Sequence, residues 1–543
     1  MEIKLITVQE MQAVEREANA TGFTYEMMME NAGRNLAEVI NEEYNFEEED
    51  GICGLVGSGN NGGDTLVALS VLADSGWPAY AYLVRPRPSE DILIERLKNK
   101  GGVVYQSWED QEYRELKALI AENGVILDGV LGTGTRLPLK PEVAKILDTA
   151  RRLISEVDDP PVVVAVDCPS GVDCDTGQAA EETIQADLTI TMAAVKKGLF
   201  EFPANNLIGD LRVIGIGLPE DGQGLHSWQA IRTLVPDAEW VRERLPERPA
   251  NAHKGTFGTA LIIAGSVNYT GAAWLAGQAA YRIGAGLVTL AVPEPLHAAL
   301  AGQFPEATWL PLPEYEGFIA KEADEIIHQN MSKANAILIG PGFGLENETL
   351  GFLGRVLNTR VYHSMGFIGR ETDNKPISSP KIPPLVIDAD GLKLLAQLPD
   401  WPNLLPTLSV LTPHPGEMSI LTGLSKEEIQ SNRLEIAERF SREWGHIVIL
   451  KGAFTIIADP EGSRAIIPVA TPALARAGTG DVLAGLIVGL RAQGVDAFPA
   501  AVASAWIHAQ AGWRAAENLG NSASVLAGDV LKAVIQVISE ELG

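Results

Sequence analysis

The chain has 543 residues, 46% of them hydrophobic and 21% charged, with a formal net charge of −29. That length exceeds one ordinary domain, and the composition excludes a disordered chain. The acidic balance disfavours a nucleic-acid or anionic-membrane partner, so an anionic ligand must be held by backbone amides and a few placed cations. The three cysteines, Cys53, Cys168 and Cys174, lack metal spacing and point to a reducing compartment. Cys168 reads as a buried, inert thiol, since no histidine motif accompanies it. The first residues carry no signal-peptide pattern, and no run of about 18 apolar residues is present. A cytoplasmic protein without a membrane partner is expected.

Residues 7–41 read as helical, opened by a capping box from Thr7 to Glu10. An acidic loop, Asn45 to Asp50, precedes a strand at Ile52–Val56. The glycine-rich stretch Gly57-Ser58-Gly59-Asn60-Asn61-Gly62-Gly63-Asp64 follows, then a helix over Thr65–Ser75. Strand, glycine loop and helix form the layout of a phosphate-binding βα turn. The next strand runs into Arg85 and Arg87, which leaves a reader of a 2′-phosphate open. Three further apolar strands deliver polar residues at their ends: Asp128 before the Gly132–Pro138 loop, Asp167 to Ser170, and Thr189 to Lys196. Strands alternating with helical segments predict a parallel sheet with helices on both faces, and ligands in such sheets bind beyond the carboxyl ends of the strands. Asn61, Asp128, Asp167 and Ser170 all fall there.

GNNGGD at 59–64, DGVLGTG at 128–134 and VDCPSGVDCDTG at 166–177 together resemble the signature blocks of the NAD(P)H-hydrate epimerases. The resemblance covers residues 1–217. It implies hydrate contacts at Asn60, Asn61, Gly62, Gly63 and Asp64, and at Gly132, Thr133, Gly134, Thr135, Arg136, Leu137 and Pro138. It implies Asn61, Asp128 and Ser170 as ligands of a potassium ion, and Asp167 as the carboxylate that works on the substrate. Thr65 and Cys168 depart from the family pattern without removing a functional group.

Residues 218–250 read as a linker and lead-in, punctuated by glycine and proline. From residue 251 onward a second α/β unit is expected, and no internal repeat of the first is visible. Its strands end at Gly265-Ser266, Gly340-Pro341-Gly342, Asp388-Ala389-Asp390 and Thr412-Pro413-His414. Residues 345–384 read as an exposed insertion. The run Ile447–Leu450 reads as a buried strand ending in Lys451-Gly452-Ala453-Phe454-Thr455. Further on, Gly478-Thr479-Gly480-Asp481 opens a helix. A glycine turn at a helix start aims free N–H groups and the positive dipole end at one spot, which is an anion site. Asp481 is there either as a base beside a bound phosphate or as an ordinary cap.

The blocks KGTFG, AGS…TGAA, GPGFG, DADGL, TPHPGE, KGAFT and AGTGD, in this order, resemble the nucleotide-dependent NAD(P)H-hydrate dehydratases, a branch of the ribokinase-like fold. This resemblance implies nucleotide contacts at Lys451, Gly452, Ala453, Phe454, Thr455 and Gly480. It implies hydrate contacts at Ala272, Gly342, His414 and Asp481. The whole chain thus looks like a bifunctional repair enzyme: a Rossmann-like three-layer epimerase domain, then a ribokinase-like dehydratase domain over residues 251–543. The implied small molecules are NAD(P)H hydrate, ADP as co-substrate, Mg²⁺ in the second domain and K⁺ in the first. Asp167 and Asp481 are the implied catalytic groups, and a homo-oligomer is the expected assembly. Two other classes remain open: a ribokinase-like small-molecule kinase with a dinucleotide-binding first domain, and a non-catalytic dinucleotide sensor.

Overall fold

The strand Gly51–Val56 is buried along its whole length, and its neighbours set the architecture of the first half. It pairs in parallel with Ala79–Leu83 on one side and Asn123–Gly129 on the other. The full seven-stranded sheet runs Val103–Gln106, Ala79–Leu83, Gly51–Val56, Asn123–Gly129, Val162–Val166, Leu188–Met192, Asp210–Ile214, parallel throughout. The chain steps outward twice from Gly51–Val56 and then returns to its other side. The reversal falls between Gly51–Val56 and Asn123–Gly129, and such a switch point opens a crevice at the carboxyl ends of the two strands. One face is covered by Tyr25–Glu43 and Asn60–Asp74, which bury Leu36, Ile40, Leu66 and Leu69. The other is covered by Arg114–Glu122 and Pro141–Glu156, which bury Leu116, Ile120, Val143 and Leu147. The expected α/β class with a parallel sheet is borne out.

The computed structural model describes residues 2–44, 51–219, 222, 224–358 and 382–543. The acidic loop at 45–50 and the polar stretch expected from 362 to 381 lie outside them. Two compact units divide between Val235 and Pro236.

In the second unit the parallel strands lie in the order Thr308–Leu312, Leu287–Pro293, Thr259–Ile263, Ala336–Ile339, Leu385–Ile387, Val410–Leu411, Ile447–Leu450. Two antiparallel strands, Ile456–Ala458 and Arg464–Ile466, extend the sheet beyond Ile447–Leu450. The reversal of strand order falls between Thr259–Ile263 and Ala336–Ile339. The helix Thr479–Ala492 is apolar nearly all round and is buried from Val482 to Leu490. It is a core helix whose first turn is its only exit to the ligand side.

Three expectations are corrected by the structure. The helix after the first glycine loop begins at Asn60 rather than Thr65, so Asn60 to Asp64 are its first turns and not a loop. The glycine pair hides the helix from its propensities, but tertiary contact requires it: a Cβ on Gly62 would stand 2.1 Å from the Gly57 carbonyl oxygen. Residues 345–384 are not an exposed insertion at their start. Asn347–Leu357 is a helix that buries Thr349, Phe352, Leu353, Val356 and Leu357, the spacing of a core-facing stripe. The single helical stretch at 7–41 is two helices, Val8–Ala20 and Tyr25–Glu43, and the first carries the capping box expected from Thr7 and Glu10. Among the described residues, no helix is long and apolar enough to cross a membrane.

Candidate active sites

In the first unit the switch-point crevice gathers the expected residues. Gly57 and Gly62 make the close approach possible: a Cβ on Gly57 would lie 1.9 Å from the Val130 carbonyl oxygen. The helix can therefore start directly above the end of Gly51–Val56. Asn61, on its first turn, is buried and donates Nδ2 to the Leu131 carbonyl at 2.9 Å. Ser170 Oγ accepts from the Leu131 N–H at 2.8 Å, and the Ser170 N–H donates to Asp128 Oδ2 at 2.7 Å. Asn61, Asp128 and Ser170 thus surround one backbone segment. Asp128 is fully buried and forms no ion pair among the described residues. Burial pushes its carboxyl up, against the hydrogen bonds from Ser170 and Val130. Gly132 comes within 3.2 Å of Asn61 Cβ at its own Cβ position, and Thr135 is buried on the same loop. Asn60, Gly134, Arg136, Leu137 and Pro138 are exposed at the rim, and Thr133 is half-buried.

Asp167 follows the strand Val162–Val166 with φ +67, a left-handed backbone that an aspartate tolerates better than most residues. Its Oδ1 accepts from Thr191 Oγ1 at 3.1 Å, from the Met192 N–H at 3.1 Å, and from the Lys196 ammonium. Lys196 is 1% exposed and also donates to Thr191 Oγ1 at 3.0 Å and the Met192 carbonyl at 2.8 Å. Sequence reasoning quoted Lys196 but gave it no role; a lysine at the end of a strand reads as solvent-facing until the fold closes over it. Asp64 and Glu15 are charge neighbours of the same pair. Cys168 is buried as expected, and its hydrogen bond to Cys174, together with burial, holds its thiol protonated.

Arg87 does not face a 2′-phosphate. Its guanidinium donates to Gly57 O at 2.8 Å and Gly59 O at 3.3 Å and pairs with Asp91 at 2.7 Å, with both side chains 8% exposed. It clamps the glycine loop from behind. Arg85 pairs with Glu142 instead.

In the second unit Gly478 caps the helix Thr479–Ala492 at φ +90, and Asp481 lies in its first turn without making a capping hydrogen bond. The cap reading of Asp481 is therefore set aside. Lys451 Nζ lies 2.7 Å from Asp388 Oδ1 and 3.7 Å from Glu417 Oε2. A Cβ on Gly480 would stand 3.6 Å from Lys451 Nζ and 3.9 Å from Asp388 Oδ2, so the ammonium and the first turn of the helix face one spot. Asp388 is 1% exposed and takes a second donor, Thr412 Oγ1, at 2.5 Å. Burial would lower the Lys451 pKa, but Asp388 and Glu417 outweigh it and hold it above its ordinary value. Burial, with the charge of Asp388 beside it, pushes the Asp481 carboxyl up to about 7.

His414 caps the helix Pro415–Thr422 through Nδ1, which accepts from the Gly416 N–H at 2.9 Å, while Nε2 lies 3.2 Å from Glu417 Oε1. Its ring is half exposed. Gly342, at φ +66, brings its Cβ position to 2.9 Å from Ala272 Cβ and 2.8 Å from Tyr269 Cβ, so these two expected hydrate contacts, Gly342 and Ala272, lie side by side. The segment 451–455, expected at the nucleotide, is tied down by Arg433, which donates to the Ala453 carbonyl and, at 3.1 Å, to the Leu450 carbonyl. Phe454 is buried, and Thr455 Oγ1 closes the turn on Gly452 O at 3.0 Å. Asp388, Glu417 and Asp390 stood inside quoted motif blocks but were given no role. Only the strand order places them around Lys451 and Asp481.

Comparison with known proteins agrees with both halves. The family model described as "YjeF-related protein N-terminus" matches residues 25–198, and that described as "NAD(P)H-hydrate dehydratase" matches residues 260–365 and 372–536. A bifunctional NAD(P)H-hydrate repair enzyme of Moorella thermoacetica is 34% identical over 97% of this chain and 95% of its own. The enzyme of that name from Salinibacter ruber is 33% identical over 99% and 97%. An ADP/ATP-dependent NAD(P)H-hydrate dehydratase from Bacillus subtilis, co-crystallised with ATP and Mg²⁺, is 31% identical with a TM-score of 0.45, covering 56% of this chain and 99% of that one. The chain belongs to the family of bifunctional NAD(P)H-hydrate repair enzymes.

Proposed function

We propose that the first unit interconverts the two epimers of NAD(P)H hydrate and that the second returns one epimer to NAD(P)H at the expense of ADP. The observation that carries this reading is the placement of Asp481. It sits at the mouth of a helix N-terminus, within the charge network of Lys451 and Asp388, with a pKa of about 7. Water is a poor leaving group. Transfer of a phosphoryl group to the hydrate hydroxyl makes a good one. Phosphate leaves with the C–O electron pair, the ring nitrogen forms a C=N⁺ bond, and loss of a proton from the adjacent ring carbon restores the ring double bond. Asp481 takes the hydroxyl proton as the oxygen attacks phosphorus. The N–H groups of the first helical turn and the Lys451 ammonium stabilise the charge on the transferring group. Lys451 to Thr455 and Gly480 hold the nucleotide; Ala272, Gly342 and His414 hold the hydrate. A magnesium ion carried with the nucleotide neutralises its phosphates. The second carboxylate oxygen of Asp388, which accepts no donor among the described residues, suits it as a hard oxygen ligand.

In the first unit Asp167 is the acid–base group. A potassium ion suits Asn61, Asp128 and Ser170, because the buried Asp128 carboxylate lacks a countercharge and the set is all oxygen. When bound, the ion offsets that charge and orders the two loops that contact the hydrate.

Asp481→Asn keeps the shape and removes the base. ADP-dependent return of reduced-nicotinamide absorbance should fall by about 100-fold or more, with the fold intact by circular dichroism. Turnover within threefold of the unaltered protein would contradict the assignment. Asp167→Ala should bring epimer exchange down to the uncatalysed rate without changing dehydration of the reactive epimer.

A further inference from the structure

Beside the buried Asp128, the carboxyl end of the first unit's sheet carries a separate group of charge neighbours, three carboxyls and one ammonium. Glu15 comes from the helix Val8–Ala20, Asp64 from the helix Asn60–Asp74, Asp167 from the strand end at Val166, and Lys196 from the end of the segment after Leu188–Met192. Asp64 and Asp167 are 7% and 8% exposed, and Lys196 is 1% exposed. The single cation is spent on Asp167: three donors converge on Oδ1, and Oδ2 receives none among the described residues. The Asp64 carboxyl makes no hydrogen bond among the described residues. One ammonium does not balance three carboxylates at so buried a place, which favours a carboxyl that keeps its proton.

We propose that Asp64 is the proton donor of the epimerase site, paired with Asp167 Oδ2 as proton acceptor, and that Lys196 is the positioning residue that fixes Asp167 in that role. The proposal rests on the epimerase reading of Asp167 given above. Burial first, then the charges of Asp167 and Glu15, raise Asp64 well above the carboxylate range, against the weaker opposite pull of Lys196. Glu15 is raised by burial too, but it is less buried and is partly offset by Lys196.

The chemistry balances without a redox partner. Water added across an enamine double bond leaves the hydroxyl on the ring carbon bonded to nitrogen. Asp64 gives its proton to that hydroxyl; the C–O bond breaks, its electron pair leaves with water, and the nitrogen lone pair forms a C=N⁺ bond. Water then adds to the opposite face. The new C–O bond forms, the C=N pair returns to nitrogen, and Asp167 Oδ2 takes the released proton. Return of a proton from Asp167 to its neighbour Asp64 resets the site.

The test uses the full chain with Asp64→Asn, which keeps the size and neutrality of the protonated acid but cannot donate as one. Exchange between the two epimers is followed by chromatography, in potassium and without nucleotide. The expected result is a fall in kcat of about 100-fold with KM within about threefold, the usual weight of a general acid. The unaltered protein should lose exchange on the alkaline side, and the residual rate of Asp64→Asn should lack that limb. Exchange within threefold of the unaltered rate, with the limb kept, would overturn the proposal.

A second measurement needs no variant. In H₂¹⁸O the first turnover of the unaltered protein should deliver the new epimer with ¹⁸O on the ring; retention of ¹⁶O would overturn C–O cleavage and with it the donor role. The two readings fail differently. If the unaltered protein exchanges no faster than the uncatalysed reaction, the epimerase reading itself falls. If Asp167→Ala is inactive while Asp64→Asn is fully active, only the proposal here falls.

Discussion

Asp481 carries the clearest electrostatic signature in the second unit. With its carboxyl at about 7, the base form is incomplete below neutrality, so ADP-dependent dehydration should lose activity as pH falls through about 7. A pH profile of kcat/KM checks this; a flat profile between pH 6 and 8 would count against it. The same shift makes a stability prediction. An unfolded aspartate titrates near 3.8, so between about 4 and 7 the folded chain binds more protons and stability falls as pH rises. Above about 7 the full penalty stands, with an upper bound of about 4 kcal/mol at about 1.4 kcal/mol per pK unit. Asp481→Asn should therefore raise the Tm of the ligand-free second unit at pH 8 and leave it unchanged near pH 3.5. Lys196 runs the other way. Lys196→Met strands a buried carboxylate at Asp167 and should cost about 3 kcal/mol in urea unfolding of the first unit, largely recovered by adding Asp167→Asn. Asp167 was legible in the sequence because it closes the apolar run Val162–Val166, and Asp481 because it follows a Gly-Thr-Gly turn that opens an apolar helix. Lys196, Glu15 and Glu417 were not, because their chemistry comes from what distant segments place against them.

Two helices carry the expected site residues, and each depends on a glycine in or just before its first turn. Gly478 adopts φ +90, and a Cβ there would stand 2.9 Å from Leu275 Cδ1 and 3.1 Å from Ala527 Cβ. Gly478→Ala should cost about 1–2 kcal/mol and lower the dehydration rate, since it tilts the N–H groups proposed to face the phosphoryl group. Gly62→Ala would press a methyl against the Gly57 carbonyl, with backbone on both sides and nothing flexible to yield. It should destabilise the first unit by about 3 kcal/mol and end epimer exchange while dehydration of the reactive epimer continues. Thermal unfolding followed beside the two assays checks both. The strands and their polar ends were readable from short apolar runs. The start of the helix at Asn60 was not, since Gly62-Gly63 opposes helix formation locally and is favoured only by the close approach it permits. The helix Asn347–Leu357 was lost for a different reason: a clear apolar stripe lay beside a polar stretch, and the two were read as one segment.

If the first unit holds potassium and the second a magnesium nucleotide, as proposed, the two units answer to different ions, which gives the whole molecule a distinctive response. Replacing potassium by choline should slow epimer exchange and leave ADP-dependent dehydration in place; chelating magnesium should do the reverse. The central claim is that one chain repairs both epimers. Purified protein mixed with an equal mixture of the two NADPH-hydrate epimers, ADP, magnesium and potassium is the most direct test, read by the return of reduced-nicotinamide absorbance. Full recovery that requires ADP and that stops at half when Asp167 is replaced by alanine is the predicted result. Recovery that stops at half in the unaltered protein, or none with either ADP or ATP, would contradict it.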